Sequence, residues 1–192
     1  VNKVVLIGNS LGGVLAHAFA IKQPDRAEGV VLVGGALLQV EPMGDFGLRL
    51  MQIPLLGEYL YKRLRKDPQA AFDSLRNVYH DLDQMPKEDR DFLFTRVNKR
   101  VWSDKQCKAY FSTLRNLSSW IRDSQSELPD RLKDFQMPTL VLRGEFDSLF
   151  PERNAKGVAS IQPNADFYEI EGAGHLPHQE TPGEFLKVLR QW

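Results

Sequence analysis

Three residues whose side chains could together carry out nucleophilic catalysis lie far apart in the chain: Ser10, Asp147 and His175. A serine hydroxyl is a weak nucleophile at neutral pH, so it needs a base within hydrogen-bond reach and a third group that orients the base. These residue types therefore indicate attack by Ser10 on a carbonyl carbon. His175 would take the proton and later return it, while Asp147 would fix the imidazole tautomer.

The sequence around Ser10 is Gly8-Asn9-Ser10-Leu11-Gly12, which follows the apolar run Val4–Ile7 and precedes a segment rich in Ala and Leu. A Gly-x-Ser-x-Gly pattern between a strand and a helix is typical of a nucleophile elbow, a strained turn that exposes the serine. We expect Gly8 and Gly12 to allow close backbone approach and the Leu11 N–H to bind an oxyanion. Asn9 is predicted to hydrogen-bond with the local backbone, and a contact with substrate is the alternative. An ordinary helix N-cap is the alternative for Ser10.

The candidate acid and base also follow predicted strands. Asp147 comes after the apolar run 139–142 and Gly144, and His175 comes after the glycine-rich loop 171–174. The carboxyl ends of parallel strands lie at one edge of a sheet, so these loops can converge with the turn at Ser10. The alternatives are Glu145 and Asp166 for the acid and His178 for the base. Position favours Asp147, which follows Gly144, and His175, which ends a Gly-x-Gly-His pattern.

The hydrophobic pattern divides the chain into three parts. Residues 1–37 read as strand, helix, strand, which predicts a right-handed parallel crossover, and the strand–helix alternation returns in residues 136–192. Residues 38–135 show helical spacing and several prolines, as expected of a helical insertion. We predict an α/β fold whose mostly parallel sheet has flanking helices. The core is residues 1–37 and 136–192, the cap or lid is residues 38–135, and Val4–Ile7 is expected to be a strand buried on both faces.

Composition narrows the function classes. The 192 residues include 42% hydrophobic and 26% charged residues, an ordinary globular balance. Lys plus Arg and Asp plus Glu both number 25, so nothing indicates a nucleic-acid partner. Cys107 is the single cysteine, which excludes an intrachain disulfide and a multi-cysteine metal site, and it is predicted to be a small hydrophobe of the cap. No cofactor or metal is expected. His17 and His80 are predicted to be structural or exposed. The lack of an apolar span or signal peptide favours a cytoplasmic location.

The chain resembles the C-terminal part of an α/β-hydrolase-fold protein, a capped serine hydrolase, from the nucleophile strand onward. The motifs that carry the resemblance are Gly8-Asn9-Ser10-Leu11-Gly12-Gly13, Gln23-Pro24-Asp25-Arg26, the stretch 137–144 with Asp147, and Gly172-Ala173-Gly174-His175-Leu176-Pro177-His178. The elbow, the acid and the histidine stand in the order that this fold uses.

The resemblance implies that the chain holds strands five to eight of the family sheet and that the N-terminal half of the usual fold is absent. The second oxyanion donor of this fold comes from a loop after an earlier strand. The stretch Lys3–Ile7 would then form a bare apolar edge, which is an aggregation hazard. We expect a missing N-terminal segment or an oligomer partner to cover that edge.

The predicted activity is cleavage of small, largely apolar carboxylic esters through an acyl-Ser10 intermediate. The alternatives are a hydrolase of carbon–carbon bonds in ring-cleavage products and a peptidase for small residues. A small-molecule receptor or signalling protein on the same fold, or an inert fragment, is the non-enzyme alternative. A serine at the elbow argues against haloalkane dehalogenase and epoxide hydrolase activity, because those relatives carry Asp there.

Overall fold

Four parallel strands form one sheet in the order β1-β2-β3-β4. The computed structural model describes residues 3–41 and 46–192, with the side chain of Leu48 outside the described part. The strands are β1 (Val4–Asn9), β2 (Ala27–Val33), β3 (Thr139–Gly144) and β4 (Ala165–Ile170). All three neighbouring pairs are parallel. The predicted α/β architecture, a parallel sheet with flanking helices, is confirmed.

The central strand β2 is buried on both faces because its apolar side chains alternate between two layers. Val30 and Leu32 belong to a cluster that includes residues of helices α1 (Leu11–Lys22), α7 (Leu128–Lys133) and α8 (Glu152–Ile161). Val31 and Val33 belong to a second cluster with residues of α10 (Pro182–Gln191). Helices therefore cover both faces of the sheet and hold the carboxyl ends of β1, β2 and β3 in fixed register.

The described parts of the segment between β2 and β3 consist of helices joined by loops. Its remaining helices are α2 (Phe46–Met51), α3 (Leu56–Arg63), α4 (Pro68–Asp73), α5 (Lys87–Trp102) and α6 (Asp104–Ser124), and α9 (Pro177–Glu180) follows the last strand. Among the helices of the described ranges, none combines the length and the apolar character that a bilayer crossing requires.

The helical segment has its own apolar cluster, which includes Tyr61, Phe72, Val97 and Phe111. The C-terminal part of the segment packs on the sheet instead, because Ile121 of α6 and Leu128 and Leu132 of α7 are buried in the cluster on the sheet. The division into a core of residues 1–37 and 136–192 and a cap of residues 38–135 stays a prediction. Residues 42–45 of that cap lie outside the described residues.

Strand β1 corrects one expectation. The prediction that Val4–Ile7 is buried on both faces is wrong, since Val5 is 47% exposed and Ile7 is 55% exposed. The reason is position, because β1 pairs with β2 on one side and ends the described sheet on the other. Cover of this edge by a missing segment or an oligomer partner stays a prediction.

Candidate active site

Ser10 follows the last residue of β1 and has backbone angles that residues other than glycine rarely adopt. Its φ is 55° and its ψ is −120°. The backbone holds this conformation, since the Ser10 N–H donates to the Val33 carbonyl at 2.7 Å and the Ser10 carbonyl accepts from Gly13 and Val14 at 3.0 and 3.2 Å. Strained residues of this kind concentrate at functional sites. The turn between β1 and α1 has the geometry that a nucleophile elbow needs.

The close approach expected around the turn depends on Gly8. A Cβ on Gly8 would lie 2.1 Å from the carbonyl oxygen of Gly12, so even alanine does not fit there. The matching expectation for Gly12 is wrong, because a Cβ on that residue would point into open space. Gly12 contributes its carbonyl to the tight turn, and the requirement for glycine lies at Gly8.

Asp147 and His175 meet in the interior. Asp147 is 3% exposed and His175 is 4% exposed. The Nδ1 atom of His175 lies 2.9 Å from Oδ2 and 3.0 Å from Oδ1 of Asp147. A carboxylate only accepts hydrogen bonds, so Nδ1 carries the proton and Nε2 is left as the basic nitrogen. The structure therefore brings together the sequence-predicted acid and the sequence-predicted base.

The loop that carries Asp147 is held by its own strand. The Oδ1 atom of Asp147 accepts from the N–H groups of Leu149 and Phe150, both at 2.9 Å. Arg143 of β3 donates to the carbonyl oxygens of Glu145, Asp147 and Phe150 at 2.9 to 3.1 Å. Its guanidinium also pairs with Glu169 at 2.6 Å. The partly buried Arg143 side chain thus holds three carbonyl groups of the acid loop, the loop that carries Asp147.

Residues at the ends of β1 and β2 connect the turn at Ser10 with the Asp147–His175 pair. The Asn9 side chain donates to the carbonyls of Val33 and His175 at 3.2 and 3.1 Å. Gly34 has φ 59°, and a Cβ there would lie 3.1 Å from both the His175 ring and Oδ2 of Asp147. Across the described ranges, no hydrogen bond joins the Ser10 hydroxyl to His175. Such catalytic hydrogen bonds often form only in the substrate complex.

The alternative acids and base lie elsewhere. Glu145 accepts from the Gly172 N–H at 3.0 Å, and Asp166 is exposed on β4. His178 lies on α9, and its burial, followed by the charge of His175, lowers its pKa. His17 is fully buried, whereas His80 is exposed and stacks on Phe146. Cys107 is buried in the apolar cluster of the helical segment.

Sequence reasoning missed two features of this site. Arg143 ends a buried apolar run, and a cation in such a place needs partners, which was a readable signal. The pair Gly34-Gly35 follows β2 directly, and consecutive glycines after a strand indicate close backbone approach. A Cβ on Gly35 would lie 2.3 Å from the Ser10 carbonyl oxygen. For metals, a search of the described residues finds no cluster of three His, Cys, Asp or Glu side chains that could hold an ion.

Comparison with known proteins gives one consistent family. The family described as alpha/beta hydrolase fold matches residues 1–182. An uncharacterized hydrolase of Bacillus subtilis, YugF, is 29% identical over 185 residues, covering 95% of this chain and 62% of the relative. A 2-hydroxy-6-oxononadienedioate/2-hydroxy-6-oxononatrienedioate hydrolase of Paraburkholderia phymatum is 27% identical over 197 residues, covering 98% of this chain and 62% of the relative.

A solved structure of a thermophilic esterase is similar with a TM-score of 0.68 and 25% identity. The match covers 98% of this chain and 65% of the esterase. The chain thus spans a little under two thirds of the length of these three proteins.

Proposed function

The chain belongs to the alpha/beta hydrolase fold family, and on that premise we propose that it is a serine hydrolase of small, largely apolar carboxylic esters. The observation that carries this proposal is the buried Asp147–His175 pair at the same sheet edge as Ser10, whose φ is 55°. The similarity to a thermophilic esterase at 25% identity supports the ester as substrate.

In the first step of the proposed reaction, His175 Nε2 takes the hydroxyl proton of Ser10 while Oγ attacks the ester carbonyl carbon. The resulting imidazolium keeps its Nδ1 proton directed at Asp147, which stabilises the positive charge and holds the ring in place. The carbonyl oxygen becomes an oxyanion. Leu11 is the first residue of α1, and the first N–H groups of a helix have no intrahelical acceptor, so its N–H is available to that oxyanion.

In the second step the tetrahedral intermediate collapses, and His175 passes the proton to the departing alkoxide. The alcohol leaves and the acyl group stays on Ser10. Water then repeats the sequence: His175 takes a proton from the water, the hydroxide attacks the acyl carbon, and the proton returns to Ser10 Oγ as the carboxylic acid leaves.

The experiment is turnover of p-nitrophenyl esters of increasing acyl length by the purified protein and by Ser10→Ala. We expect short acyl esters to be hydrolysed, with turnover lost in Ser10→Ala. Ser119→Ala is the matched control, because Ser119 is exposed on α6 and its hydroxyl donates to the Asn116 carbonyl of the same helix. Equal hydrolysis by Ser10→Ala and Ser119→Ala would refute the mechanism. Ester binding without turnover would favour the receptor alternative.

A second candidate is hydrolysis of a carbon–carbon bond in ring-cleavage products. The relative from Paraburkholderia phymatum, with 27% identity, favours it. Here the electrophile is a ketone carbonyl, and the leaving group is a carbon that must be protonated before it departs. Loss of the absorbance of a 2-hydroxy-6-oxo-dienoate, compared with release of p-nitrophenol from the esters, decides between the two substrates.

A further inference from the structure

Glu180, the last residue of α9, accepts hydrogen bonds from two backbone groups beside the candidate catalytic histidine. Its Oε1 atom accepts from the N–H of Gly174 at 2.9 Å and from the N–H of Leu176 at 3.2 Å. These residues flank His175 on both sides. The Oε2 atom accepts from the N–H of His80 at 2.6 Å. One carboxylate therefore joins the histidine loop to a remote part of the chain.

His80 belongs to the 77–80 segment (residues 77–80), which lies in the helical region between β2 and β3. This segment also contacts the histidine loop and α9 through one backbone and one side-chain hydrogen bond. The His175 N–H donates to the Val78 carbonyl at 2.9 Å, and the Tyr79 hydroxyl donates to Gln179 at 2.7 Å. A Cβ on Gly174 would lie 2.6 Å from the His80 nitrogen, so the two backbones are in direct contact.

The same segment contacts the acid loop. The Ser148 hydroxyl donates to the Asn77 carbonyl at 3.3 Å. The ring of His80 stacks on that of Phe146, the residue before Asp147, with the centroids 3.7 Å apart and the planes at 8°. The 77–80 segment is therefore seated on both loops that supply the Asp147–His175 pair.

We propose that Glu180 is a positioning residue that locks the His175 loop onto the 77–80 segment and so sets the imidazole relative to Ser10. This inference rests on the proposed function for its kinetic test. A carboxylate suits the place because both of its oxygens accept, whereas an amide offers one acceptor oxygen and a donor. Glu180→Gln leaves at least one of the three N–H groups facing an N–H donor, and the loop shifts. A misplacement of about 1 Å can lower a rate by about 100-fold.

The kinetic experiment compares Glu180→Gln with Glu171→Gln in the purified protein. Glu171 is an exposed carboxylate of the same loop, so both variants lose one charge there. For Glu180→Gln we expect kcat to fall about 10- to 100-fold with KM within about twofold, because the change displaces the base and leaves ground-state binding of the substrate unaltered. Glu171→Gln should match the unsubstituted protein. Equal kcat in the two variants would overturn the proposal.

A spectroscopic measurement separates this proposal from the proposed function. The Nδ1 proton of His175 in its hydrogen bond to Asp147 gives a low-field proton NMR signal that does not depend on turnover. We expect that signal to move or broaden in Glu180→Gln and to stay unchanged in Glu171→Gln. If the protein hydrolyses no ester, the proposed function fails, and the NMR signal alone then tests the positioning role of Glu180. An unchanged signal in Glu180→Gln would refute the positioning role.

A milder variant covers the case in which Glu180→Gln does not fold. Tyr79→Phe removes one hydrogen bond across the same junction and keeps the ring. We expect kcat to fall a few fold with KM unchanged, together with a smaller change of the His175 signal. A Tyr79→Phe variant with unaltered kcat and an unaltered signal would also overturn the proposal.

Discussion

The two halves of the candidate site are held in different ways. Asp147 and His175 are 3% and 4% exposed, and side chains of the same chain fix their loops. Ser10 is half-buried, its backbone makes the contacts, and it follows a strand whose Val5 and Ile7 side chains are about half exposed. The acid–base half therefore has a side-chain framework, whereas the nucleophile half depends on backbone geometry. Substitutions in the two halves should affect stability and activity differently.

The largest expected effect comes from removing a reacting or orienting group in either half. Ser10→Ala and Asp147→Asn should both lower the ester turnover number on the order of 10⁴-fold or more. Only Asp147→Asn should also lower the free energy of unfolding, by about 1–3 kcal/mol, because the buried His175 Nδ1–H loses its carboxylate acceptor. Urea unfolding of both variants tests this. Equal loss of stability in both would contradict the difference between the halves.

Crowding of the nucleophile backbone should have the next largest effect. In Gly35→Ala the new Cβ lies 2.3 Å from the Ser10 carbonyl oxygen, which is backbone and cannot rotate away. We expect a loss of about 2–3 kcal/mol in the free energy of unfolding, together with loss of turnover. Gly183→Ala, in α10 with open space around the site, should instead gain up to about 1 kcal/mol. If Gly35→Ala is as stable as Gly183→Ala, the close contact between position 35 and the Ser10 backbone does not restrain the nucleophile turn.

The acid loop should respond to loss of its cation. Arg143→Met keeps an apolar stem in β3 and removes the donors to three carbonyls and the pair with Glu169. We expect the free energy of unfolding to fall by about 2 kcal/mol and the turnover number by about tenfold. Arg153→Met is a matched control, because Arg153 is exposed and its ion pair with Glu41 lies at the surface. Similar free energies of unfolding and similar turnover numbers for the two variants would show that Arg143 does not hold the acid loop.

Acid should weaken the fold through the helix that begins after Ser10. Burial lowers the pKa of His17 on α1 from 6.5 to about 4, a shift that the Gln162 side chain partly opposes. Between pH 6.5 and 4, His17 is therefore protonated in the unfolded chain and neutral in the folded chain. The free energy of unfolding is highest above pH 6.5 and decreases as the pH falls towards 4. Between pH 7 and 5 the free energy of unfolding should drop by about 2 kcal/mol.

Urea unfolding midpoints at pH 7 and pH 5 test this dependence in two variants, each of which lacks one histidine. His17→Gln should show a smaller drop between pH 7 and 5, whereas His80→Gln, at an exposed position, should keep the full drop. The same pH dependence in all three proteins would mean that another group causes it.

Much of the fold could be predicted because the first three strands contain short apolar runs bounded by turn residues. The predicted runs Val4–Ile7 and 139–142 lie within β1 and β3. The Ala- and Leu-rich segment after Ser10 forms α1, which begins at Leu11, although Gly12 and Gly13 in its first turn have low helix propensity. Burial of β1 could not be predicted from its composition, because composition does not show which strand is at the edge of the sheet.

The candidate site was less accessible from the sequence. The loops of Asp147 and His175 could be placed, because each follows a strand and parallel strands share one edge. The roles of Arg143, Gly34 and Glu180 depend on which loops become neighbours in space. The loops are neighbours because β2 lies between β1 and β3 and because the 77–80 segment packs on both loops. Neither arrangement is visible as a local pattern in the sequence.

We propose that Ser10, Asp147 and His175 act as one catalytic unit. A direct test is reaction of the purified protein with a fluorophosphonate, which phosphonylates activated serines, followed by intact-mass and peptide mass spectrometry. We expect a single adduct on the peptide that contains Ser10, absent in Ser10→Ala and strongly reduced in His175→Ala. An adduct on another serine, or full labelling of Ser10 in His175→Ala, would contradict the proposal.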